Sequence, residues 1–521
     1  MTTKQDRDET KSTSEPHALN RRNILLGSTT LAAASVLGSP VQLAVSQAQA
    51  QQAPSGQRPN IVVIMGDDIG IWNIGAYHRG MMAGRTPNLD KIAAEGMLFT
   101  DYYAEASCTA GRANFITGEL PIRTGMTTVG QAGAPTGLPA EAVTIATVLK
   151  GMGYATGQFG KNHIGDKDEF LPTTHGFDEF FGFLYHLNAM EEPELPDYPP
   201  ASDYPNFKKL YGPRGVLDCK ANPDGTQSIQ DTGPLNKKRM ETIDDEVLTK
   251  TNDFLDRQVK ADTPFFVWFN TSHMHLRTHV KPELRGRAGR WQSDYHDVMI
   301  EHDEIVGKLL QKLDDLGIAD NTIVMYGTDN GPHMNSWPDA GMTPFRNEKD
   351  SNWEGAFRVP CMVRWPGVIK PGTISNEIIS HMDWLPTFLA AAGEADIKDK
   401  LLKGHQAGKK TFKVHLDGYN FLPHFKSLVK SPRAGYFYFS DDGDLMAMRY
   451  DNWKVIFMEQ RMPGTLRIWQ ESLVSLRFPK LFNLRTDPYE RADITSNTYW
   501  DWVLDHIFLF IPVQGIVADF L

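Results

Sequence analysis

The sequence predicts an α/β fold: a mostly parallel sheet flanked by helices, followed by a smaller C-terminal α+β unit containing an antiparallel sheet. Three observations carry that prediction. Short β-rich apolar runs alternate with segments of helical period, the signature of parallel strands joined by helical crossovers. Beyond residue 431 that alternation gives way to closely spaced short β runs and turns. The chain has 521 residues, 41% of them apolar, enough core for one large domain and a companion.

The first fifty residues stand apart from this pattern. A polar, Ser/Thr-rich start leads to Asn20-Arg21-Arg22-Asn23-Ile24-Leu25-Leu26 and a weakly apolar run broken by Gly27, Ser28 and Gly38. Ala48-Gln49-Ala50 then offers a small-x-small cleavage site. Paired arginines before a modest hydrophobic stretch resemble a twin-arginine export signal. Residues 1–50 are therefore expected to be removed after passage through the twin-arginine translocase, leaving a periplasmic or secreted protein. Residues 51–57 read as a linker.

Strands are expected at 61–65, 154–158, 265–269 and 322–326, and helices at 87–96, 141–152, 244–260 and 295–316. Thr86 or Asn88 caps the first helix, and Gly96 and Gly317 stop two of them. Residues 186–238 are rich in Pro, Asp, Tyr and Gly and lack periodicity, so they read as an excursion that shapes a site rather than as core. After Pro432, β runs at 435–440, 445–450 and 453–458 form a meander, with Asp451-Asn452 turning between the last two. The apolar run at 506–511 is cut by Pro512 and is expected to pack against the body. No stretch of the mature chain offers the ~18 unbroken apolar residues of a transmembrane helix.

A formal net charge of −11 excludes a nucleic-acid partner, because phosphate backbones demand clustered Lys and Arg. Three cysteines, Cys108, Cys219 and Cys361, make no disulfide framework, although Cys219 and Cys361 remain open to pairing.

In open parallel sheets ligands bind beyond the carboxyl ends of the strands. The first strand ends in Gly66-Asp67-Asp68-Ile69-Gly70 and the 322–326 strand in Gly327-Thr328-Asp329-Asn330-Gly331. Asp67, Asp68, Asp329 and Asn330 thus supply three carboxylates and an amide oxygen, a hard set suited to Ca²⁺ or Mg²⁺. Gly160-Lys161-Asn162-His163 and Ser272-His273-Met274-His275 follow two other strands and bring cations and imidazoles to the same rim. Cys108 begins a helical run, where the dipole favours negative charge, with Arg112 one turn on. A cysteine phosphatase would carry its arginine six residues on, and that position is Asn114.

In this order the motifs resemble the sulfatase family of the alkaline-phosphatase-like superfamily. The resemblance includes Thr86-Pro87-Asn88-Leu89-Asp90, the run from Cys108 to Gly118, Gly160 to Gly165, and Trp353-Glu354-Gly355. It implies a catalytic domain at 58–430, a C-terminal subdomain at 431–521, and hydrolysis of sulfate esters to an alcohol and sulfate. It further implies that Cys108 is converted to formylglycine by a formylglycine-generating or anaerobic maturing enzyme. One hydroxyl of the aldehyde hydrate attacks sulfur, and the second allows collapse with release of sulfate. Asp67, Asp68, Asp329, Asn330 and the modified Cys108 would hold calcium, with magnesium as the alternative. Lys161 and Lys349 would hold sulfate oxygens and Arg112 would anchor the diol. His163 would take the second hydroxyl's proton, and His273, preferred to His275, would protonate the departing alcohol. The sequence departs from the family at Ala110 and Gly111, where proline and a small residue are usual, at Asn162 and at Asp350. The substrate class is a sulfated small molecule or glycan, and the competing reading is a phosphonate monoester or phosphodiester hydrolase of the same superfamily.

Overall fold

In the computed structural model, residues 58–334, 337–339 and 341–520 are described, so the export signal and linker lie outside the described residues. Ten strands form one sheet: β1 (Asn60–Gly66), β2 (Met97–Phe99), β3 (Ala155–Lys161), β4 (Glu179–Phe183), β5 (Leu217–Ala221), β6 (Gln227–Asp231), β7 (Phe265–Asn270), β8 (Thr322–Thr328), β9 (Cys361–Arg364) and β10 (Thr373–Ser375). Their spatial order is β10-β2-β9-β8-β1-β7-β3-β4-β5-β6. The central five, β8-β1-β7-β3-β4, are parallel, so their carboxyl ends share one edge. Antiparallel strands extend the sheet on both sides.

Strand β1 shows why this sequence makes a covered sheet. Every residue of Asn-Ile-Val-Val-Ile-Met-Gly is buried, a continuous apolar run rather than an alternation. Val62 and Ile64 join a core that also holds Leu89 and Ile92 of α1 (Pro87–Glu95). Ile61, Val63 and Met65 face the opposite core, with Phe115 and Ile116 of α2 (Cys108–Thr117) and Ile145 and Leu149 of α3 (Ile145–Gly151). Two further helices, α4 (Ile243–Lys260) and α5 (Asp294–Asp315), cover the first face, and α6 (Trp384–Ala391) covers the second.

Several elements differ from the sequence expectation in extent. β3 and β8 run further because backbone pairing continues through Gly160 and Gly327, which interrupt the apolar pattern but not the ladder. α3 starts at Ile145 rather than 141, since the Thr144 side chain accepts the Thr147 N–H and caps it there. The 186–238 excursion is partly core: β5 pairs with β4, and Leu217 and Cys219 are fully buried.

The C-terminal sheet comprises β11 (Gly435–Phe439), β12 (Leu445–Tyr450), β13 (Trp453–Glu459) and β14 (Val474–Asn483), antiparallel in that order. The turn at Asp451 has φ 51°, as expected for a tight hairpin. Strand β14 escapes sequence detection because Pro479, Arg477 and Lys480 interrupt its apolar pattern, features tolerated on an edge strand. The expectation for 506–511 needs correction: Ile507, Phe508 and Ile511 are 50%, 60% and 74% exposed. Only part of that run turns inward, because Leu509 and Phe510 pack on the C-terminal core while the others point away. Among the described residues no single helix is long and apolar enough to cross a membrane.

Candidate active site

The carboxyl edge of the parallel strands gathers the predicted residues. β1 delivers Asp67 and Asp68, β8 delivers Asp329 and Asn330, β3 ends in Lys161 with His163 two residues on, and α2 begins at Cys108. All of these side chains are buried. Asp68 and His163 have φ of 58° and 62°, a left-handed backbone that side chains other than Gly rarely adopt. Lys349 arrives from the loop before Trp353, and its N–H donates to the Pro332 carbonyl at 3.1 Å.

Carboxylate oxygens of Asp67, Asp68 and Asp329 lie within 4.8 Å of one another. Three cations offset them: Lys161 Nζ stands 2.6 Å from Asp67, Lys349 Nζ 2.7 Å from Asp68, and the Arg112 guanidinium 2.8 Å from Asp329. Burial alone would raise the acid pKa values. Lys161 and His275 instead hold Asp67 below its usual range, and Lys349 and His275 hold Asp68 at about 2. Asp68 Oδ2 and Asn330 Oδ1 are buried and accept no hydrogen bond. The Asn330 amide N–H donates to Asp68 Oδ1 and to the Gly331 carbonyl, both at 2.7 Å, which commits its nitrogen and leaves the oxygen open. Hard oxygens with unused lone pairs, beside two further carboxylates, fit a divalent cation.

Cys108 Sγ lies 3.8 Å from Asp67 Oδ1 and 3.3 Å from Lys349 Nζ. The helix terminus does not make it a thiolate. Burial outweighs Lys161 and Lys349 and pushes the thiol up to about 12. Gly111 shows why α2 can start here: a Cβ at that position would come within 1.8 Å of the Asp329 carbonyl oxygen. The departure from the family pattern therefore permits a close helix-to-loop approach. Arg112, on the same helix, donates from Nε to Asp329 at 3.0 Å and from Nη1 to the Lys161 carbonyl at 3.2 Å. His163 contacts the Gly130 carbonyl through Nε2 at 3.1 Å, and its buried Nδ1 has no hydrogen-bond partner. Burial, then Lys161, keep that ring neutral.

The preference for His273 over His275 is corrected. His273 turns away from the cluster: its Nδ1 meets Asp244 on α4, and its Nε2 lies 3.8 Å from Glu301 on α5. Burial would depress its pKa, but Asp244 and Glu301 raise it to about 10, which favours the imidazolium. His275 enters the cluster instead. Its Nδ1 contacts the Leu276 carbonyl at 2.7 Å, which makes Nδ1 the donor and turns Nε2 towards Asp68, 3.9 Å away. The backbone explains the swap. Met274 N–H donates to the Asp67 carbonyl at 2.7 Å and Asp67 N–H to the His273 carbonyl at 2.9 Å, stitching the segment across the end of β1. His275 N–H also donates to the Ser272 carbonyl at 3.3 Å, so the segment is a turn rather than a strand, and residues two apart need not share a face.

A cavity of about 170 Å³ opens at Cys108, and Lys349 and His275 also line it. Its remaining wall comes from Val129, Gln131, His186, Asn188, Leu276 and His333, with Leu466 and Trp469 from the C-terminal unit. Sequence reasoning missed these. His333 follows Asp329-Asn330, and Leu276 follows His275, closely enough to have been found, whereas the others sit in stretches without a motif. Cys219 and Cys361 are buried and free, so they do not pair.

Comparison with known proteins agrees with this geometry. The sulfatase family profile matches residues 59–394, and a profile for the C-terminal region of aryl-sulfatase matches 431–507. The chain is 31% identical over 500 residues to N-acetylgalactosamine-6-sulfatase of Canis lupus familiaris, covering 90% of this chain and 88% of the relative. It is 32% identical over 454 residues to human arylsulfatase A, covering 84% and 83%. A crystallised sulfatase from Pseudoalteromonas sp. superposes with a TM-score of 0.75 at 27% identity, covering 88% and 90%. A phosphonate monoester hydrolase of Agrobacterium radiobacter shares the fold alone, with a TM-score of 0.54 and 18% identity over 89% of this chain and 96% of that one. The chain therefore belongs to the sulfatase family, as a hydrolase of sulfuric esters.

Proposed function

We propose that this sulfatase acts through a formylglycine formed from Cys108, beside a divalent cation, calcium as first choice, held by Asp67, Asp68, Asp329 and Asn330. The observation that carries this reading is the buried carboxylate trio with two open oxygen acceptors, set within reach of Cys108 Sγ. A cation bound there supplies Lewis acidity towards a sulfate oxygen and acidifies a neighbouring hydroxyl. An aldehyde hydrate at position 108 supplies one hydroxyl for attack and another for release of sulfate.

The chain's own groups do the rest. Lys349, which lines the cavity, and Lys161, paired with Asp67, bring positive charge to the cluster and favour the sulfate oxygens as charge builds on them. Arg112 fixes Asp329 and the start of α2 in register. His163 offers an unpartnered Nδ1 to take a proton during sulfate release. His275 replaces His273 as the acid that protonates the departing alcohol. Its Nε2 faces the cluster, and although burial depresses its pKa, Asp67 and an arriving sulfate anion favour the imidazolium.

Residues 58–430 act as the catalytic domain and 431–521 as a subdomain that completes the cavity wall. Export through the twin-arginine translocase, after a maturing enzyme has acted on Cys108 in the cytoplasm, gives a periplasmic or secreted enzyme. Replacing Arg21 and Arg22 by Lys should hold the protein in the cytoplasm, and unchanged export would overturn that route. The hydrolytic reading is tested by comparing 4-nitrophenyl sulfate with an aryl phosphonate monoester. A higher kcat/KM for the sulfate is expected, and a preference for the phosphonate would reverse the assignment.

A further inference from the structure

Beyond Cys108, His275 and Lys349, the cavity lining combines apolar and uncharged polar side chains. Trp469 and Leu466, 39% and 53% exposed, come from the short helical turn Leu466–Trp469 between β13 and β14. Gln131, Asn188 and His186 lie on the cavity lining with them. Among the described residues, Lys349 is the only Lys, Arg, Asp or Glu in that lining.

The aromatic side is held in place by specific bonds. The Gln460 side-chain amide donates to the Ile468 carbonyl at 3.0 Å and to the Glu471 carbonyl at 2.9 Å, closing the turn on itself. The same residue's backbone N–H donates to Asn352 at 2.7 Å, and its carbonyl accepts the Trp353 indole N–H at 3.0 Å. Asn347 donates to the Met462 carbonyl at 2.7 Å, and Glu348 accepts the Thr465 N–H at 2.5 Å. Asn347, Glu348, Asn352 and Trp353 surround Lys349 in sequence, so the loop bearing Trp469 is fastened to the segment that delivers a sulfate-binding lysine. Such pre-ordering removes much of the entropy cost of closing on a ligand.

The polar side is also set. His186 Nδ1 accepts the Ala189 N–H at 3.1 Å, and its Nε2 lies 3.2 Å from Gln131 Oε1. Both ring nitrogens are used, burial keeps the ring neutral, and the Gln131 amide nitrogen is left to donate elsewhere.

We infer that Trp469 and the Gln131–His186–Asn188 wall form a specificity subsite for a single uncharged sugar ring bearing the sulfate, its C–H face on the indole and its hydroxyls on the amides. This rests on the sulfatase reading and deepens it. The cavity, about 170 Å³, is smaller than the ~300–1,000 Å³ of drug-sized sites, so it encloses one ring, and further residues of a chain would lie outside it. A polyanionic chain would want a basic rim, and the lining has a single lysine, already at Asp68. A plain aryl ring would stack on Trp469 but offer no hydroxyl to the partly buried Asn188 amide, and sites built to bond hydroxyls discriminate strongly against ligands lacking them.

The test measures sulfate release by the mature enzyme from three substrates: a panel of uncharged methyl pyranoside monosulfates, 4-nitrophenyl sulfate, and a polysulfated oligosaccharide. At least one monosaccharide sulfate should exceed 4-nitrophenyl sulfate in kcat/KM by tenfold or more. In Asn188→Ala the sugar-to-aryl ratio of kcat/KM should fall at least tenfold. Trp469→Ala should lower kcat/KM for the sugar by a similar factor through KM, and Trp469→Phe should restore most of it. Release from 4-nitrophenyl sulfate with no sugar turned over, a preference for the polysulfated chain, or an unchanged ratio in Asn188→Ala would each overturn the subsite alone. No release from any of the three esters would overturn the hydrolase reading and the subsite with it.

Discussion

His273 and His275 are separated by one residue, yet they occupy opposite kinds of environment. Around His273 the charges are matched: Asp244 accepts from the ring and from the Ser272 N–H, Glu301 holds Lys281, and the two atoms left without a hydrogen bond, His273 Nε2 and Glu301 Oε2, face each other at 3.8 Å. Around His275 the acids are held ionised by lysines, and two oxygens, on Asp68 and Asn330, have nothing to accept from. The first pocket matches each charge to an opposite one drawn from α4, α5 and the strand end. The second keeps capacity in reserve, as a site that must bind a cation and a substrate requires. A buried charged residue is thus read by what its neighbours still lack, not by its type or its place after a strand.

The comparison can be broken in several ways, and the largest effect concerns the reserve itself. Removing divalent cations with a chelator should bring sulfate release below detection, and adding calcium back should restore it. The same addition should raise the thermal midpoint, since a ligand at a hundred times its Kd contributes about 2.7 kcal/mol. Activity that survives exhaustive chelation would mean the open oxygens serve some other end. Next, His275→Ala should lower kcat by about 10²–10⁴-fold, with a melting curve close to that of the parent. A substrate with a better leaving group should suffer less, because it needs the proton less.

His273→Ala should do the reverse. It strands Asp244 as a buried charge without its partner, at a cost of ~3–5 kcal/mol, visible in urea unfolding, while the folded fraction keeps kcat within about tenfold, far short of a lost general acid. Large loss of kcat with unchanged stability would exchange the two histidines' roles. The smallest effect is in pH. The folded-state value of His273, about 10, lies above its ordinary 6.5. Its contribution is therefore whole below pH 6.5 and is lost as pH rises through about 10. Unfolding free energy followed across that window should decline in the parent and decline less in His273→Gln.

Much of this was legible in the chain. The apolar runs that became β1, β7 and β8 gave the parallel sheet, and strand-end reasoning found Asp67, Asp68, Asp329 and Asn330 before any coordinates. Two things were not legible. Which of His273 and His275 faces the cluster depends on a turn pinned to β1, with Met274 N–H on the Asp67 carbonyl and Asp67 N–H on the His273 carbonyl, a contact over 200 residues apart that periodicity cannot express. The cavity wall was hidden for a different reason. Gln131, Asn188 and Trp469 lie in loops whose positions are set by distant partners such as Gln460 and Glu348, and loop residues carry no pattern of their own.

The claim on which the account turns is chemical change at Cys108. Mass spectrometry of the peptide spanning that residue, from the same preparation in which sulfate release is assayed, tests it most directly. The account predicts a peptide lighter than its encoded sequence, in a fraction that rises and falls with specific activity, and neither the lighter peptide nor activity in Cys108→Ala. Full activity from protein whose Cys108 remains an intact thiol would contradict it.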